Sequence, residues 1–453
     1  MEGLIFSVSG ARGIVGKGLD PLVLTEIAAH FGAFVGPGTV VVGRDSRVSG
    51  EMAAAAVTAG LVGVGIDVVD LGLASTPTVE VAVREIGAAG GVQISASHNP
   101  ADWNALKLLS SRGIFLTASE GAELRARIDA GRPRFHAWDA LGNVRRRDDL
   151  NEIHLDRILA SELVDSEAVR RLAPRVVVDC VAGVGGPIAC RLLERLGAHA
   201  TFVHAEPTGR FPRNPEPVPE NLRELGDAVR AAKADIGFAL DPDADRVAVV
   251  DETGRPIGEE VTLAVVIDSF LPVLGGDVVV NVSTTMAIDD VAARHGARVH
   301  RTPVGEVNVT ERMLEIGAKI GGEGNGGVIV PAVNPGRDGL LGIALWLTAL
   351  AREGAGTAAL AARIPSTVMR KEKIEVGGLD VDLVLRELAS AFPGYQVDRT
   401  DGLKLLSPDG WVHVRKSNTE PILRLLAEAR TGDAVNELVV RAREVAVRAG
   451  AAS

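Results

Sequence analysis

Only two cysteines, Cys180 and Cys190, occur in 453 residues, ten positions apart and without a histidine cluster nearby. Neither a disulfide framework nor a zinc site is indicated, and a reducing compartment is expected. Aromatics are scarce at 3%, whereas hydrophobic residues reach 46% and glycines number 52. Cores must therefore be packed from Val, Leu, Ile and Ala between many tight turns, which suits an α/β protein. Positive charge is in deficit, with a net charge of −11, so the broad basic face that a nucleic acid requires is missing. A small phosphorylated ligand is still allowed, because a few local cations and backbone amides suffice for it. The uncharged stretch 52–66, closed by Glu51 and Asp67, falls short of a membrane span, and the opening Met-Glu-Gly-Leu carries no basic segment before an apolar one. A cytoplasmic chain with no membrane partner is the expectation.

The length predicts three or four domains. Short Val/Ile runs alternate with amphipathic stretches: 39–42 then 50–64, 67–71 then 76–86, 175–179 then 187–196, 277–282 then 286–295. This is the rhythm of βαβ units and predicts three α/β units in series. After them, strands are expected at 371–376, 396–400, 402–406 and 411–415, with helices at 379–392 and 431–448. That last portion reads as α+β. Breaks in the pattern at 145–151, 251–255 and 364–367 place the domains at 1–148, 149–252, 253–365 and 366–453.

Asp241-Pro242-Asp243-Ala244-Asp245-Arg246 is the sharpest constellation. Carboxylates at every second position share one face of an extended segment, and Pro242 disfavours a helix there. Three oxygen ligands for one hard cation follow, against the plainer reading of a solvated acidic turn. An EF-hand fits poorly, because its sixth position needs glycine and here is Arg246. Magnesium or manganese beside a phosphate is preferred, with Arg246 as a further cation for the transferred group. In the uncompensated loop, replacing Asp243 should relieve repulsion between like charges.

Ser95-Ala96-Ser97-His98-Asn99-Pro100 follows the strand-like 91–94. A serine hydrolase is disfavoured, since neighbouring Ser97 and His98 are expected to diverge and no glycine flanks Ser97 as a nucleophile elbow demands. A phosphoryl acceptor served by His98, Lys107 and the metal is the better use, and a capping serine the plain one. Arg415-Lys416-Ser417-Asn418-Thr419-Glu420-Pro421 packs donors into one loop suited to a phosphate dianion, or forms a polar hairpin turn. The glycine-rich 321–327 sets Glu323 and Asn325 on a backbone that a sugar can approach closely. No Lys-Ser or Lys-Thr follows to make a Walker loop, and 183–186 has the wrong spacing for a dinucleotide fingerprint.

Together these four loops, in this order, resemble the α-D-phosphohexomutases: phosphoglucomutases, phosphomannomutases and phosphoglucosamine mutases. The resemblance runs end to end and implies four domains around a central cleft, three similar α/β units with mixed sheets and a smaller α+β unit at the carboxyl end. It implies a phosphorylated Ser97 that ligates one Mg2+ with Asp241, Asp243 and Asp245. It further implies a sugar 1,6-bisphosphate as intermediate and activator, and a remote phosphate held by Arg415, Ser417, Asn418 and Thr419. Ser9-Gly10-Ala11-Arg12-Gly13 is similar to the family's amino-terminal motif and puts Arg12 near the phosphoserine, with Arg12 and Lys107 as proton-handling candidates and a lowered pKa expected for Lys107. In 43–47 the Arg44 and Asp45 side chains are read as structural. The segments 321–327, 415–421 and 301–306 look like archaeal-type phosphoglucosamine mutases, so glucosamine phosphate is the expected substrate, ahead of a dual phosphomannomutase and phosphoglucomutase. A monomer or homodimer is expected. Outside the class, a sugar-phosphate binding protein or a metal-dependent phosphatase would share these loops.

Overall fold

The computed structural model describes residues 4–7, 10–375, 380–416 and 422–450. Three of its four sheets repeat one plan. In the first, Asp67–Leu73, Thr39–Arg44, Gly90–Ile94 and Trp103–Ser110 lie side by side in that order, the first three parallel and the last antiparallel. In the second the order is His199–Val203, Arg175–Asp179, Ile236–Leu240 and Val247–Asp251, and in the third Val299–Thr302, Val278–Asn281, Ile320–Glu323 and Gly327–Ile329, with the same polarity. Near-continuous apolar runs such as 236–240 and 278–281 form the central strands because helices cover both faces, and all their residues are buried.

The first sheet is wider, with Gly10–Val15 and Leu4–Ser7 added at one edge and Val144–Arg146 at the other. That last strand takes in Arg145 and Arg146, the start of the stretch 145–151 read as a break between units. An exposed Val-Arg-Arg tripeptide reads as a connector, but its backbone pairs in parallel with Val68, Val69 and Asp70.

The fourth sheet is antiparallel, ordered Val368–Glu375, Ile422–Ala429, Gly410–Lys416, Leu403–Ser407 and Gln396–Asp398. Helices Val381–Ala391 and Gly432–Gly450 pack together beside it around a core of their own. The second and third units instead share one core, from Val178, Phe238 and Val249 to Val280 and Trp346. Its centre is the helix Gly339–Glu353, buried from Gly339 to Leu350 and capped by Asp338, whose carboxylate accepts from Leu340 N and Leu341 N at 3.0 Å each. Among the described residues no helix is long and apolar enough to cross a membrane.

Candidate functional site

In each repeated unit the third and fourth strands are joined by a hairpin loop: 95–102, 241–246 and 324–326. The repeat therefore delivers the serine, the aspartates and the glycine-rich segment to equivalent places, and the packing of the units brings them together.

The segment 241–246 corrects its expected shape. It is a compact turn with Ala244 in the left-handed region at φ 55°, not an extended run. Its carboxylates meet because the chain wraps around them: one oxygen from each of Asp241, Asp243 and Asp245 lies within 4.8 Å of the others, and all three residues are 0% exposed. The Asp243 Oδ2 atom accepts from Lys107 Nζ at 2.6 Å and Thr76 Oγ1 at 2.5 Å. Likewise Asp245 Oδ2 accepts from Lys107 Nζ at 3.1 Å and Arg337 Nη2 at 2.7 Å. The opposite oxygens, Asp243 Oδ1 and Asp245 Oδ1, are buried with no hydrogen-bond partner among the described residues. Two orphaned hard oxygens beside a third carboxylate fit a Mg2+ ion, whose ligands are oxygens.

The charges follow from this packing. Burial works against ionisation of Asp245, but Arg337, Lys107 and Arg246 outweigh it and hold that carboxyl well below the usual range. Burial, and then Asp245 and Asp243, drive Asp241 well above it. The expectation of a lowered Lys107 is corrected: burial alone would lower it, but Asp243 and Asp245 raise it above an ordinary lysine. The ammonium is locked between two carboxylates.

Ser97 Oγ donates to Asp241 Oδ2 at 2.7 Å. Ser97 itself is left-handed, φ 47°, and this overturns the expected divergence from His98. At that φ the two side chains converge, with Ser97 Oγ 3.4 Å from His98 Nδ1. Burial and then Arg246 and Arg12 push His98 well below the ordinary imidazole range, although 31% of its side chain reaches solvent beside Glu216. Arg12 Nη1 donates to Asn99 Oδ1 at 3.2 Å on the same loop. Arg246 closes the aspartate loop, its N–H on Asp241 Oδ1 at 3.2 Å and its Nε 3.5 Å from Asp245 Oδ1.

Glu323 is spoken for on three sides: Oε1 accepts from Asn281 Nδ2 at 2.7 Å and Gly305 N at 3.1 Å, and Oε2 from Arg337 Nη1 at 2.5 Å. Despite burial, Arg337 and Asn281 keep its carboxyl below the usual range. Asn325 Oδ1 is buried without a partner among the described residues. Gly326 has φ +86°, and its carbonyl accepts from Val247 N at 3.1 Å; a Cβ there would stand 2.2 Å from Val247 O. Only glycine lets the two loops touch backbone to backbone.

Arg415 ends the strand Gly410–Lys416, half-buried, with Nε lacking a hydrogen-bond partner among the described residues. Ser417, Asn418 and Thr419 lie outside the described residues. Ser97, His98, Lys107, Arg12, the three aspartates and Arg246 thus share one centre, and Glu323 joins it through a residue the motifs did not single out. That residue is Arg337, which also reaches Glu306 Oε2 at 2.9 Å. Thr76 was missed too, because nothing local to either residue marks a partner 167 positions away. The polar Gly336-Arg337-Asp338 just before an apolar helix was the available signal for Arg337.

Models of the phosphoglucomutase/phosphomannomutase family match in chain order: α/β/α domain I over residues 3–134, domain II over 152–254, domain III over 259–368 and the C-terminal domain over 379–445. A phosphoglucomutase/phosphomannomutase of Thermococcus kodakarensis is 39% identical over 96% of each chain, and a probable phosphoglucosamine mutase of Methanopyrus kandleri 38% identical over 96% of each. A crystal structure of a phosphoglucomutase/phosphomannomutase family protein from Burkholderia thailandensis superimposes with a TM-score of 0.86 at 30% identity, covering 98% of this chain and 97% of that one. Matched in all four domains by the family's models and over 96% of its length by such relatives, this chain belongs to the phosphoglucomutase/phosphomannomutase family, the phosphohexomutases.

Proposed function

We propose that the protein interconverts 6-phospho and 1-phospho sugars through phosphorylated Ser97 and a sugar 1,6-bisphosphate, with glucosamine 6-phosphate and glucosamine 1-phosphate as the pair. The observation that carries the reading is Ser97 Oγ, buried and 2.7 Å from one of three clustered aspartates. Mg2+ held by Asp241, Asp243, Asp245 and the Ser97 oxygen would neutralise charge on the phosphoryl group in transfer. The chain's own groups do the rest. Arg246 and Arg12 supply further positive charge, and neutral His98 can hold a proton beside Ser97 Oγ. Lys107, fully charged between Asp243 and Asp245, orients those carboxylates and serves as an electrostatic support. Glu323 keeps one lone pair for a sugar hydroxyl, and the Asn325 amide oxygen accepts no hydrogen bond among the described residues. Arg415 with Ser417, Asn418 and Thr419 would grip the phosphate that is not reacting.

The amino-sugar assignment rests on the 321–327 and 415–421 variants and on the Methanopyrus relative's name. The Thermococcus relative's name supports the second reading, mannose and glucose phosphates. A phosphorus NMR time course on glucosamine 6-phosphate, mannose 1-phosphate and glucose 1-phosphate, with catalytic bisphosphate, tests both. Isomerised monophosphate with a transient bisphosphate is expected, fastest from glucosamine 6-phosphate and absent in Ser97→Ala. Free phosphate without isomer would mean a phosphatase, and unchanged spectra despite binding would mean a sugar-phosphate binder.

A further inference from the structure

Arg47 follows the arginine and aspartate that were read as structural, and it is 1% exposed. Its guanidinium rests on the ring of Phe211, from the second unit, at 4.9 Å. A guanidinium has five N–H donors in a rigid fork, and here every one is used. Nε donates to Asp45 Oδ2 at 3.1 Å, Nη1 to the carbonyls of Pro100 at 2.5 Å and Trp103 at 3.0 Å, and Nη2 to those of Ser97 at 2.6 Å and Asn99 at 2.7 Å. Three of the five therefore fall on main-chain oxygens of the loop that carries Ser97, and a fourth on Trp103, where the next strand begins. The other backbone group of Ser97 is held from the same source. Its N–H donates to Ser95 Oγ at 2.9 Å, and Ser95 Oγ donates to Asp45 Oδ2 at 2.7 Å, the oxygen that also receives Arg47 Nε.

A non-glycine residue is uncommon in the left-handed region and is costly to hold there, and Ser97 is fixed in it at both its N–H and its C=O. We propose that Arg47, with Asp45 and Ser95, is a positioning device that imposes the left-handed backbone of Ser97 and so turns its Oγ onto Asp241. The proposal rests on Ser97 being the phosphoryl acceptor. A direct role for Arg47 on a phosphate is excluded by its own geometry, since no donor is left over and the side chain is fully covered. It touches no reacting atom.

The test is the rate at which dephosphorylated protein takes up one phosphoryl group from glucose 1,6-bisphosphate, read by intact-mass spectrometry, beside kcat, KM and the unfolding midpoint. Arg47→Lys keeps the charge but loses the planar fork, and uptake and kcat should fall about 100-fold with KM within about two-fold. Ser95→Ala removes one hydroxyl with little change of volume and should slow uptake about ten-fold. Millimolar guanidinium should restore part of the rate in Arg47→Ala. A purely structural role would lower the midpoint and leave uptake per folded molecule unchanged, and that result overturns the proposal. If Arg47→Lys does not fold, Ser95→Ala decides alone: uptake at the wild-type rate refutes the device. A wild type that takes up no phosphate at Ser97 defeats the phosphoserine reading itself and removes the proposal with it.

Discussion

The loops 241–246 and 324–326 occupy the same hairpin of the same four-stranded plan, yet they solve opposite problems. The aspartate loop gathers negative charge and spends one oxygen each of Asp243 and Asp245 on Lys107, Thr76 and Arg337, leaving the other two without a hydrogen-bond partner among the described residues. The glycine-rich segment has a single carboxylate, Glu323, which accepts from Asn281, Gly305 and Arg337, and it leaves the Asn325 amide oxygen without a hydrogen-bond partner among the described residues. One scaffold thus leaves carboxylate oxygens where the proposed Mg2+ would need them and a neutral acceptor where the proposed sugar hydroxyl would. The difference lies in where the partners come from: the neighbouring units supply those of the aspartates, and the third unit itself supplies those of Glu323.

The largest effect that tests this contrast is expected from Asp243→Asn. It neutralises a bare oxygen and should cut turnover roughly 1,000-fold or more, with Mn2+ affinity falling in parallel by titration calorimetry. The sequence alone suggested that losing this charge relieves repulsion. The structure reverses that, because Lys107 is left buried with only Asp245, a loss of up to about 3–5 kcal/mol. A raised unfolding midpoint would overturn the paired description.

The next effect is on stability and belongs to the glycine-rich side. His413 Nε2 donates to the Asp401 carbonyl at 2.6 Å, so Nδ1 must accept from Ser283 Oγ at 3.0 Å, just beyond Asn281. Burial pushes this imidazole down to about 4, so the folded protein keeps it neutral where the unfolded chain takes up a proton. Stability is therefore undiminished above pH 6.5, falls as the pH drops from about 6.5 to about 4, and levels off below, by about 3 kcal/mol from this group. His413→Gln should flatten that slope in denaturant midpoints at pH 7.5 and 5; an unchanged slope would acquit His413.

The smallest change expected is from Glu323→Gln, which loses the charge on Arg337 while keeping the shape. It should lower kcat/KM for the sugar phosphate by roughly 10–100-fold, equivalent to about 1.5–3 kcal/mol, with Mn2+ affinity nearly unchanged. If the metal weakened as much as in Asp243→Asn, the two loops would be one unit and the contrast would fail.

Much of this was legible in the chain. The strands 175–179 and 278–281 appear where β-branched and apolar runs predict them, since burial on both faces writes itself into composition. The serine, aspartate and glycine-rich loops announced themselves because each concentrates its chemistry in a few consecutive residues, while most of 415–421 lies outside the described residues. What stayed hidden are partnerships: Arg337 with Asp245 is a contact across 92 positions, and Arg47 with Ser97 one across 50. A lone arginine in a sequence carries no address. The convergence of Ser97 with His98 was hidden for another reason, as a left-handed serine is disfavoured locally and persists only because distant groups hold it.

The placing of Lys107 also has a consequence for how the chain is made. Domains generally fold as units from the amino end during synthesis. The strand Trp103–Ser110, with Lys107 on it, emerges well before the three aspartates, and Arg337 emerges well after them. The acidic turn therefore leaves the ribosome to find a counter-charge already waiting in the preceding unit, and the second arrives only with the third unit. A fragment cut to hold the second unit alone would carry the aspartates with neither cation. Most of the centre's chemistry is thus owned by the seams between units, and it comes into being only when the last seam closes.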